Sequence, residues 1–265
     1  MILPPHDAAP FQQALNLRKR APPGNRRSGS GWGTMQKYLL PILRRIFERK
    51  PLKLLSFLSF GRFPIRKVIH VGAHLGQERR RYRKMGVREV LWIEGSPSIH
   101  AQLLASLDAD RAAGKLAGRH VAVNALLTDK SGANVVLHGF SNAGASNSIF
   151  PMTEKLRETW PSVRQTGEDE TVVSSTLDEI AAREGFENPD LVVVDVQGAE
   201  LLVLRGGTRT LASAKAVVSE VSTVPYYEGG VLFGELNAFL ETQDFAAAEA
   251  PSAHGDILYL RKELL

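Results

Sequence analysis

A glycine turn and a carboxylate about 20 residues later form the clearest chemical pattern in the sequence. Residues 68–71, with the sequence VIHV, are mostly apolar and predict a short strand, Gly72 and Gly76 follow in the turn, and a second apolar run ends at Glu94. Such a turn lets backbone N–H groups approach a ligand, and a carboxylate at this spacing accepts hydrogen bonds from ribose hydroxyls. The pattern therefore predicts a site for a cofactor that contains adenosine.

The middle position of the turn distinguishes between two kinds of cofactor. A dinucleotide fingerprint has a glycine there, which lets the backbone approach the pyrophosphate, but this chain has His74. An imidazole obstructs that approach. S-adenosylmethionine contains a ribose and no pyrophosphate, so the pattern favours it over a nicotinamide dinucleotide. A purely structural strand–turn–helix in another α/β domain is the alternative interpretation.

Strands and helices alternate from residue 68 onward, which is typical of repeated βαβ units. We expect an α/β fold with a Rossmann-like, mostly parallel seven-stranded sheet, helices on both faces and an N-terminal helical extension. Ligands in such a sheet bind outside the carboxyl ends of the strands. The candidate site residues are therefore those that directly follow the predicted strands, namely residues 72–78, Glu94, Asn124, residues 195–200 and Glu220.

Asp195 follows Leu191–Val194, the most hydrophobic strand of the pattern. A buried unpaired carboxylate is costly, so Asp195 should face a ligand, a metal ion or a helix N-terminus, and a role as helix N-cap is the alternative. Glu220 ends what should be the adjacent strand. The two carboxylates are predicted to bind Mg²⁺ together, whereas the alternative for Glu220 is a cap or a salt bridge.

Several blocks of the chain resemble the FkbM-type methyltransferases, which are class I enzymes that depend on S-adenosylmethionine. The resemblance covers about residues 68–261, and its blocks lie at 71–77, 93–94, 175–178, 194–200 and 204–207. Residues 194–200, with the sequence VDVQGAE, are the most specific block. The chain departs from the family pattern at His70, where an acidic residue is usual, and at His74, where asparagine is usual.

The resemblance implies roles for individual positions. The glycine turn would hold the methionine and ribose portions, Glu94 would bind the ribose hydroxyls, and Asp195 would lie beside the sulfonium and the substrate. The backbone around Asn124 and Ala125 would flank the adenine. The complete implied cofactor-binding set is Gly72, Ala73, His74, Gly76, Gln77, Glu94, Asn124, Ala125, Asp195 and Gln197.

The resemblance also implies the reaction, which is O-methyl transfer to a hydroxyl of a sugar, a polysaccharide unit or a secondary metabolite. Such a transfer needs the acceptor oxygen about 3 Å from the methyl group and a base that removes the hydroxyl proton. Asp195 is the first candidate base, and Glu220 and His138 are further catalytic candidates. An ordinary strand-end histidine is the alternative for His138. An NAD-dependent Rossmann oxidoreductase and a non-catalytic membrane- or partner-tethering module remain the alternative functions.

Charge divides the chain into two unequal parts. Residues 1–67 contain 14 Lys and Arg against 2 Asp and Glu, while the remainder contains 19 against 26. The basicity therefore belongs to the N-terminal part, and we expect no nucleic-acid partner. Residues 1–34 predict a disordered basic leader or a cloning remnant, residues 35–67 a basic amphipathic helical segment, and residues 68–265 the class I methyltransferase domain.

The segment at residues 35–60 has two interpretations. It could lie on a membrane surface or bind a partner, or it could pack on the domain or across a homo-oligomer interface. The sequence has no cysteine, which excludes disulfides, thiolate catalysis and cysteine metal ligands. It also has no apolar run of about 18 residues and no signal-peptide core, so we expect a cytoplasmic protein, with peripheral membrane contact as an open alternative.

Overall fold

The computed structural model describes residues 50–265, so the predicted leader at 1–34 and the amphipathic stretch at 35–49 lie outside the described residues. In chain order, the elements are α1 (Pro51–Ser59), β1 (Lys67–Val71), α2 (Arg79–Met85), β2 (Glu89–Glu94), α3 (Pro97–Ala112), β3 (Arg119–Asn124), β4 (Leu126–Leu127), β5 (Asn134–Leu137), α4 (Glu154–Thr159), β6 (Glu170–Ser175), α5 (Leu177–Arg183), β7 (Leu191–Val194), α6 (Glu200–Arg205), α7 (Thr208–Ser213), β8 (Ala216–Ser222), α8 (Phe233–Thr242), β9 (Phe245–Ala247) and β10 (His254–Arg261), followed by a short 3₁₀ turn at Lys262–Leu264.

A seven-stranded sheet in the order β3-β2-β1-β7-β8-β10-β9 organises the domain. Neighbouring strands in the part β3-β2-β1-β7-β8 are parallel, whereas β10 is antiparallel to both β8 and β9. Strand order reverses between β1 and β7, so the ends of these two strands border the crevice in which an open α/β sheet binds its ligand. The predicted Rossmann-like, mostly parallel seven-stranded sheet is confirmed.

Helices cover both faces of the sheet because successive strand residues point to opposite sides. Val68 packs with α1, α2 and α3 on one face, and Ile69 packs with α5, α6, α7 and α8 on the other. All four residues of β7 are buried, which agrees with its continuous apolar sequence. A separate three-stranded sheet, in the order β4-β6-β5, lies in the stretch between β3 and α5.

Local sequence signals locate several element ends. Thr176 caps α5 in a capping box with Glu179, as the Thr-x-x-Glu spacing indicates. The turn after β1 is followed by α2, whose C-terminus is closed by Gly86 in the left-handed conformation. These caps determine where α5 begins and where α2 ends, and thereby the boundaries of the adjoining loops.

Helix α1 packs on the sheet as part of the domain. Its Leu54 and Leu55 are fully buried, in the same cluster as Val68 and Trp92. The described end of the 35–60 segment therefore agrees with the interpretation that this segment packs on the domain. Within residues 50–265, no helix is both long and apolar enough to cross a bilayer.

The burial of α1 predicts a large effect of truncating its core side chain. Leu54→Ala should lower the free energy of unfolding by about 2–5 kcal/mol, because it removes buried apolar volume. Leu104→Ala, at a 40% exposed position on α3, is the matched control and should cost about 0.5 kcal/mol or less. Urea denaturation followed by circular dichroism measures both values. Equal small losses would show that α1 does not contribute to the stability of the domain.

Candidate active site

A cavity of about 330 Å³ opens at the carboxyl ends of β1, β2 and β7. Eight of the ten predicted cofactor residues line it, namely Gly72, Ala73, His74, Gln77, Glu94, Ala125, Asp195 and Gln197. Gly76 and Asn124 do not line the cavity. Residues outside the predicted cofactor-binding set also line it, and Glu78 and His70 are the polar examples at the end near β1 and α2.

Gly72 lets the turn cross directly over the end of β7. Its φ is +76°, and a Cβ atom at this position would lie 1.7 Å from the backbone oxygen of Asp195. The N–H groups of Gly72 and Ala73 both donate to the carbonyl of Ile93, at 2.9 and 3.0 Å. The turn is therefore held between β2 and β7, and only glycine fits at its first position.

Gly76 and Asn124 support the cavity from behind. A Cβ atom on Gly76 would lie 3.0 Å from Leu103 of α3, so this glycine serves the close packing of the turn on a helix. The Asn124 amide donates to the carbonyls of Glu94 and Gly95, at 2.9 and 3.0 Å. Both residues thus position the strand ends rather than line the cavity.

Glu94 is buried, and backbone donors hold both of its carboxylate oxygens. The N–H of His74 donates to Oε2 at 2.8 Å, and the N–H of Ser96 donates to Oε1 at 2.9 Å. Burial raises the pKa of the Glu94 carboxyl, while these N–H groups lower it. Because each oxygen has two lone pairs, the fixed carboxylate can still accept hydrogen bonds from a pair of ligand hydroxyls.

His74 connects the glycine turn to the loop that covers the cavity. Its φ is +44°, and its Nε2 lies 3.0 Å from the carbonyl oxygen of Ala143. The Gln77 amide lies 2.8 Å from the other ring nitrogen, Nδ1. The histidine that departs from the dinucleotide pattern therefore holds the loop at residues 143–147 against the turn.

The opposite end of the cavity is apolar. Its walls there are Ala125, Leu126, Leu127, Leu137 and Ile149. These side chains come from the segment after β3, from β5 and from the loop that follows it. An apolar slot next to a fixed carboxylate suits a base with a ribose attached.

Gln197 joins the two carboxylates predicted to lie on adjacent strands. Its Nε2 donates to Asp195 Oδ1 at 2.6 Å and to Glu220 Oε2 at 2.8 Å, and its Oε1 accepts from the Tyr227 hydroxyl at 2.7 Å. Burial, followed by the charge of Glu220, raises the pKa of Asp195 well above its ordinary value. Tyr227 thus fixes the direction of the amide, and the amide holds both carboxylates.

Glu220 faces a second, smaller cavity of about 20 Å³, together with His254. Its Oε1 lies 3.1 Å from His254 Nε2, and the Ser222 hydroxyl lies 2.7 Å from His254 Nδ1. Burial, followed by the charges of Glu200 and Asp256, raises the pKa of Glu220 well above its ordinary value, while burial lowers the pKa of His254. The sequence analysis missed His254, because only the antiparallel pairing of β10 with β8 brings it beside Glu220.

His138 lines neither cavity. Its Nδ1 contacts Asp169 Oδ2 at 2.9 Å, and this hydrogen bond lowers the pKa of Asp169. The backbone of His138 pairs with Ser148, at the far end of the loop that covers the larger cavity. The structure therefore places this catalytic candidate at the support of the loop, where it agrees with the alternative of an ordinary strand-end histidine.

The predicted Mg²⁺ site has no complete ligand set in the part of the chain that the structure describes. Residues 50–265 contain no group of three or more His, Asp or Glu arranged to hold a metal ion. Asp195 and Glu220 instead share the amide donor of Gln197. The two carboxylates are together, as predicted, but an amide lies between them.

An open α/β sheet with a ligand cavity at its strand-order reversal defines this domain as a Rossmann-like binding fold. The sequence model of the family described as "Methyltransferase FkbM domain" matches residues 70–247. The chain belongs to this family, as its sequence blocks predicted.

Individual relatives share shorter stretches or only the overall shape. The chain is 31% identical over 94 residues to "2-O-methyltransferase NoeI" of Sinorhizobium fredii, a match that covers 36% of this chain and 39% of that protein. It therefore spans about two fifths of the length of this curated relative. The crystal structure of methyltransferase FkbM from Methylobacillus flagellatus matches with a TM-score of 0.49 and 14% identity, over 96% of this chain and 59% of that one. The S-adenosylmethionine-bound magnesium protoporphyrin IX methyltransferase of Synechocystis matches with a TM-score of 0.43 and 12% identity, over 98% of both chains.

The tight crossing at Gly72 predicts that two glycines with similar backbone conformations respond differently to alanine. Gly86→Ala adds a Cβ atom where nothing lies within 4 Å, so its cost should be backbone strain of about 1–2 kcal/mol. Gly72→Ala adds the clash with the Asp195 carbonyl, and should cost about 3–5 kcal/mol. Urea denaturation of both variants tests this difference. Equal losses would contradict the close approach.

Proposed function

We propose that this chain is an S-adenosylmethionine-dependent O-methyltransferase that acts on a hydroxyl of a sugar, a polysaccharide unit or a secondary metabolite. The charge of the cavity is the main observation that supports S-adenosylmethionine as the cofactor. Glu78, Glu94 and Asp195 line it, and the described lining includes no Lys or Arg. S-adenosylmethionine has a cationic sulfonium and an ammonium group, whereas NAD has an anionic pyrophosphate. A cavity with this charge favours the first and repels the second.

The residues present fit the parts of this cofactor in sequence along the cavity. The apolar end accepts the adenine, Glu94 accepts the ribose hydroxyls, and Asp195 lies where a sulfonium would follow. A cavity of about 330 Å³ lies within the usual range for small-ligand sites. When bound, the cofactor supplies an activated methyl group.

Asp195 is the base that we propose for the transfer. In this role the Asp195 carboxylate takes the hydroxyl proton of the acceptor, whose oxygen would receive the methyl group from the bound cofactor, with the demethylated cofactor as the leaving group. Burial and the charge of Glu220 raise the pKa of Asp195, which makes its ionised form a stronger base. Gln197 binds Oδ1 and thereby orients the carboxylate.

Aromatic side chains next to the carboxylates support a sugar acceptor. The rings of Trp160, Tyr226 and His254 form a cluster with centroids 4.8 to 5.3 Å apart, and Trp160 is 36% exposed. Exposed tryptophan rings commonly stack on the apolar faces of sugars. The match to a 2-O-methyltransferase, although it covers only part of either chain, agrees with a hydroxyl acceptor.

The remaining expectations about partners stay proposals. Peripheral membrane contact through residues 35–60, homo-oligomerisation and a cytoplasmic location follow from the sequence analysis. Helix α1, at the described end of that segment, packs on the sheet. No feature of the described residues favours a nucleic-acid partner over a small-molecule acceptor.

The charge argument predicts selective cofactor binding. Calorimetric titration of the full chain should show binding of S-adenosylmethionine, and of its demethylated product, with no measurable binding of NAD. The reason is the set of three lining carboxylates without a lysine or arginine. Binding of NAD without binding of S-adenosylmethionine would reject the proposal in favour of an oxidoreductase.

The proposed base predicts a separation of chemistry from binding. Asp195→Asn should lower the rate of methyl transfer by about 10²–10⁴-fold, while calorimetry shows cofactor binding within a few-fold of the original chain. The assay measures labelled methyl transfer onto a panel of mono- and oligosaccharides. In the original chain the rate should rise with pH through the elevated pKa of Asp195, because the ionised form accepts the proton.

The matched control for this measurement is Asp129→Asn, at an exposed position that lines neither cavity. It should leave both rate and binding unchanged. Retained turnover in Asp195→Asn would remove Asp195 from the chemistry and leave Glu220 as the remaining carboxylate candidate.

A further inference from the structure

We propose that Glu78 and the buried His70–Tyr82 pair form a subsite for the α-amino acid end of the cofactor. Glu78 binds the α-ammonium group, and His70 donates to the α-carboxylate. This inference rests on the proposed cofactor and assigns a binding role to three residues outside the predicted cofactor set. It explains how a cavity without an arginine or lysine in its described lining can bind a zwitterionic group.

The direction of the cavity points to this end. Its apolar walls lie beyond β3, Glu94 ends β2, and His70 and Glu78 belong to β1 and to the start of α2. A ligand with its base at the apolar end and its ribose at Glu94 therefore extends past the glycine turn toward His70 and Glu78. The group that occupies this position in S-adenosylmethionine is the amino acid.

Glu78 has a carboxylate that the fold does not use. It stands at the N-cap position of α2, but its side chain does not cap the helix. The side chain is 34% exposed, lines the cavity, and has His70 Nδ1 at 4.0 Å. Within residues 50–265, no Lys or Arg lies within ion-pair distance of it. An ammonium group bound here would gain a charge-assisted hydrogen bond in a partly desolvated position.

His70 is arranged as a neutral hydrogen-bond donor. Burial lowers its pKa, and its Nδ1 lies 2.9 Å from the Tyr82 hydroxyl. In the proposed arrangement the Tyr82 hydroxyl donates a hydrogen bond to Nδ1, and burial, which raises the pKa of Tyr82 well above its ordinary value, keeps the phenol protonated. The ring hydrogen of neutral His70 is then on Nε2, which is the nitrogen left for a ligand carboxylate. The Trp92 ring, with its centroid 5.4 Å away, fixes the imidazole plane.

The test is a calorimetric comparison of four ligands on the full chain. S-adenosylmethionine and S-adenosylhomocysteine carry the complete amino acid, decarboxylated S-adenosylmethionine keeps only the ammonium group, and 5′-methylthioadenosine has neither group. Glu78→Gln should weaken binding of the first three by about 10- to 100-fold and leave 5′-methylthioadenosine unchanged. Tyr82→Phe should weaken binding of only the two ligands that have a carboxylate, by about 10-fold. The reason is that His70 loses the hydrogen bond that keeps its ring hydrogen on Nε2.

Asp256→Asn is the matched control, because the Asp256 charge also raises the pKa of Tyr82 but the residue does not line the cavity. It should leave all four affinities unchanged. Equal losses of affinity in Asp256→Asn and Glu78→Gln would show that any nearby negative charge has the same electrostatic effect, which would overturn the proposed subsite. Unchanged binding in Glu78→Gln, or an equal loss for 5′-methylthioadenosine, would also overturn it.

Two further results separate this inference from the proposed function. If the original chain binds none of the four ligands, the proposed cofactor itself is wrong. If it binds S-adenosylmethionine and the Glu78 and Tyr82 variants do not differ from it, only the subsite is wrong. Thermal denaturation of each variant confirms that it is folded, and Glu78→Asp, which keeps the charge, should retain more affinity than Glu78→Gln.

Discussion

The passage of the glycine turn over the end of β7 is the constraint on which the site depends. Because a side chain at Gly72 would overlap the Asp195 carbonyl, the two strand ends can approach closely only with glycine at that position. This approach brings the glycine turn and the Asp195 carboxylate into one cavity. The hydrogen bonds from the turn to the Ile93 carbonyl and from the His74 N–H to Glu94 depend on the same close approach.

The same edge of the sheet collects buried negative charge, which the fold stabilises with amides. Glu200 accepts the N–H groups of Val196 and Gly198, and Gln197 donates to Asp195 and Glu220. These donors offset part of the desolvation cost, yet burial still raises the pKa of each of the three carboxyl groups. Burial of these carboxyl groups therefore lowers the folding stability of the domain, and a cationic ligand bound beside them would offset part of that loss.

Local patterns predicted most of the sheet and the strand-end residues, because strand alternation, caps and glycine turns depend on neighbours in sequence. The capping box at Thr176 and the buried strand before Asp195 are examples. Other features depend on contacts between distant segments. His254 reaches Glu220 only through the antiparallel register of β10, and the orientation of Gln197 depends on Tyr227, so no spacing in the sequence indicated either. His138, a residue type suited to catalysis, contacts Asp169 and pairs with the backbone of Ser148, a placement that no spacing in the sequence indicated.

The loop that covers the cavity has contacts on two sides. The Ala143 carbonyl meets His74 of the glycine turn, the Ser148 hydroxyl donates to the carbonyl of Gln197, and the Ser146 carbonyl lies 3.4 Å from the Tyr227 hydroxyl. A single segment thus contacts both the glycine turn and the residues that hold Asp195 and Glu220. Any movement of this segment perturbs both sets of contacts. If the proposed acceptor binds beside these two carboxylates, its affinity and that of the cofactor are coupled through this loop, because linkage between two sites is reciprocal.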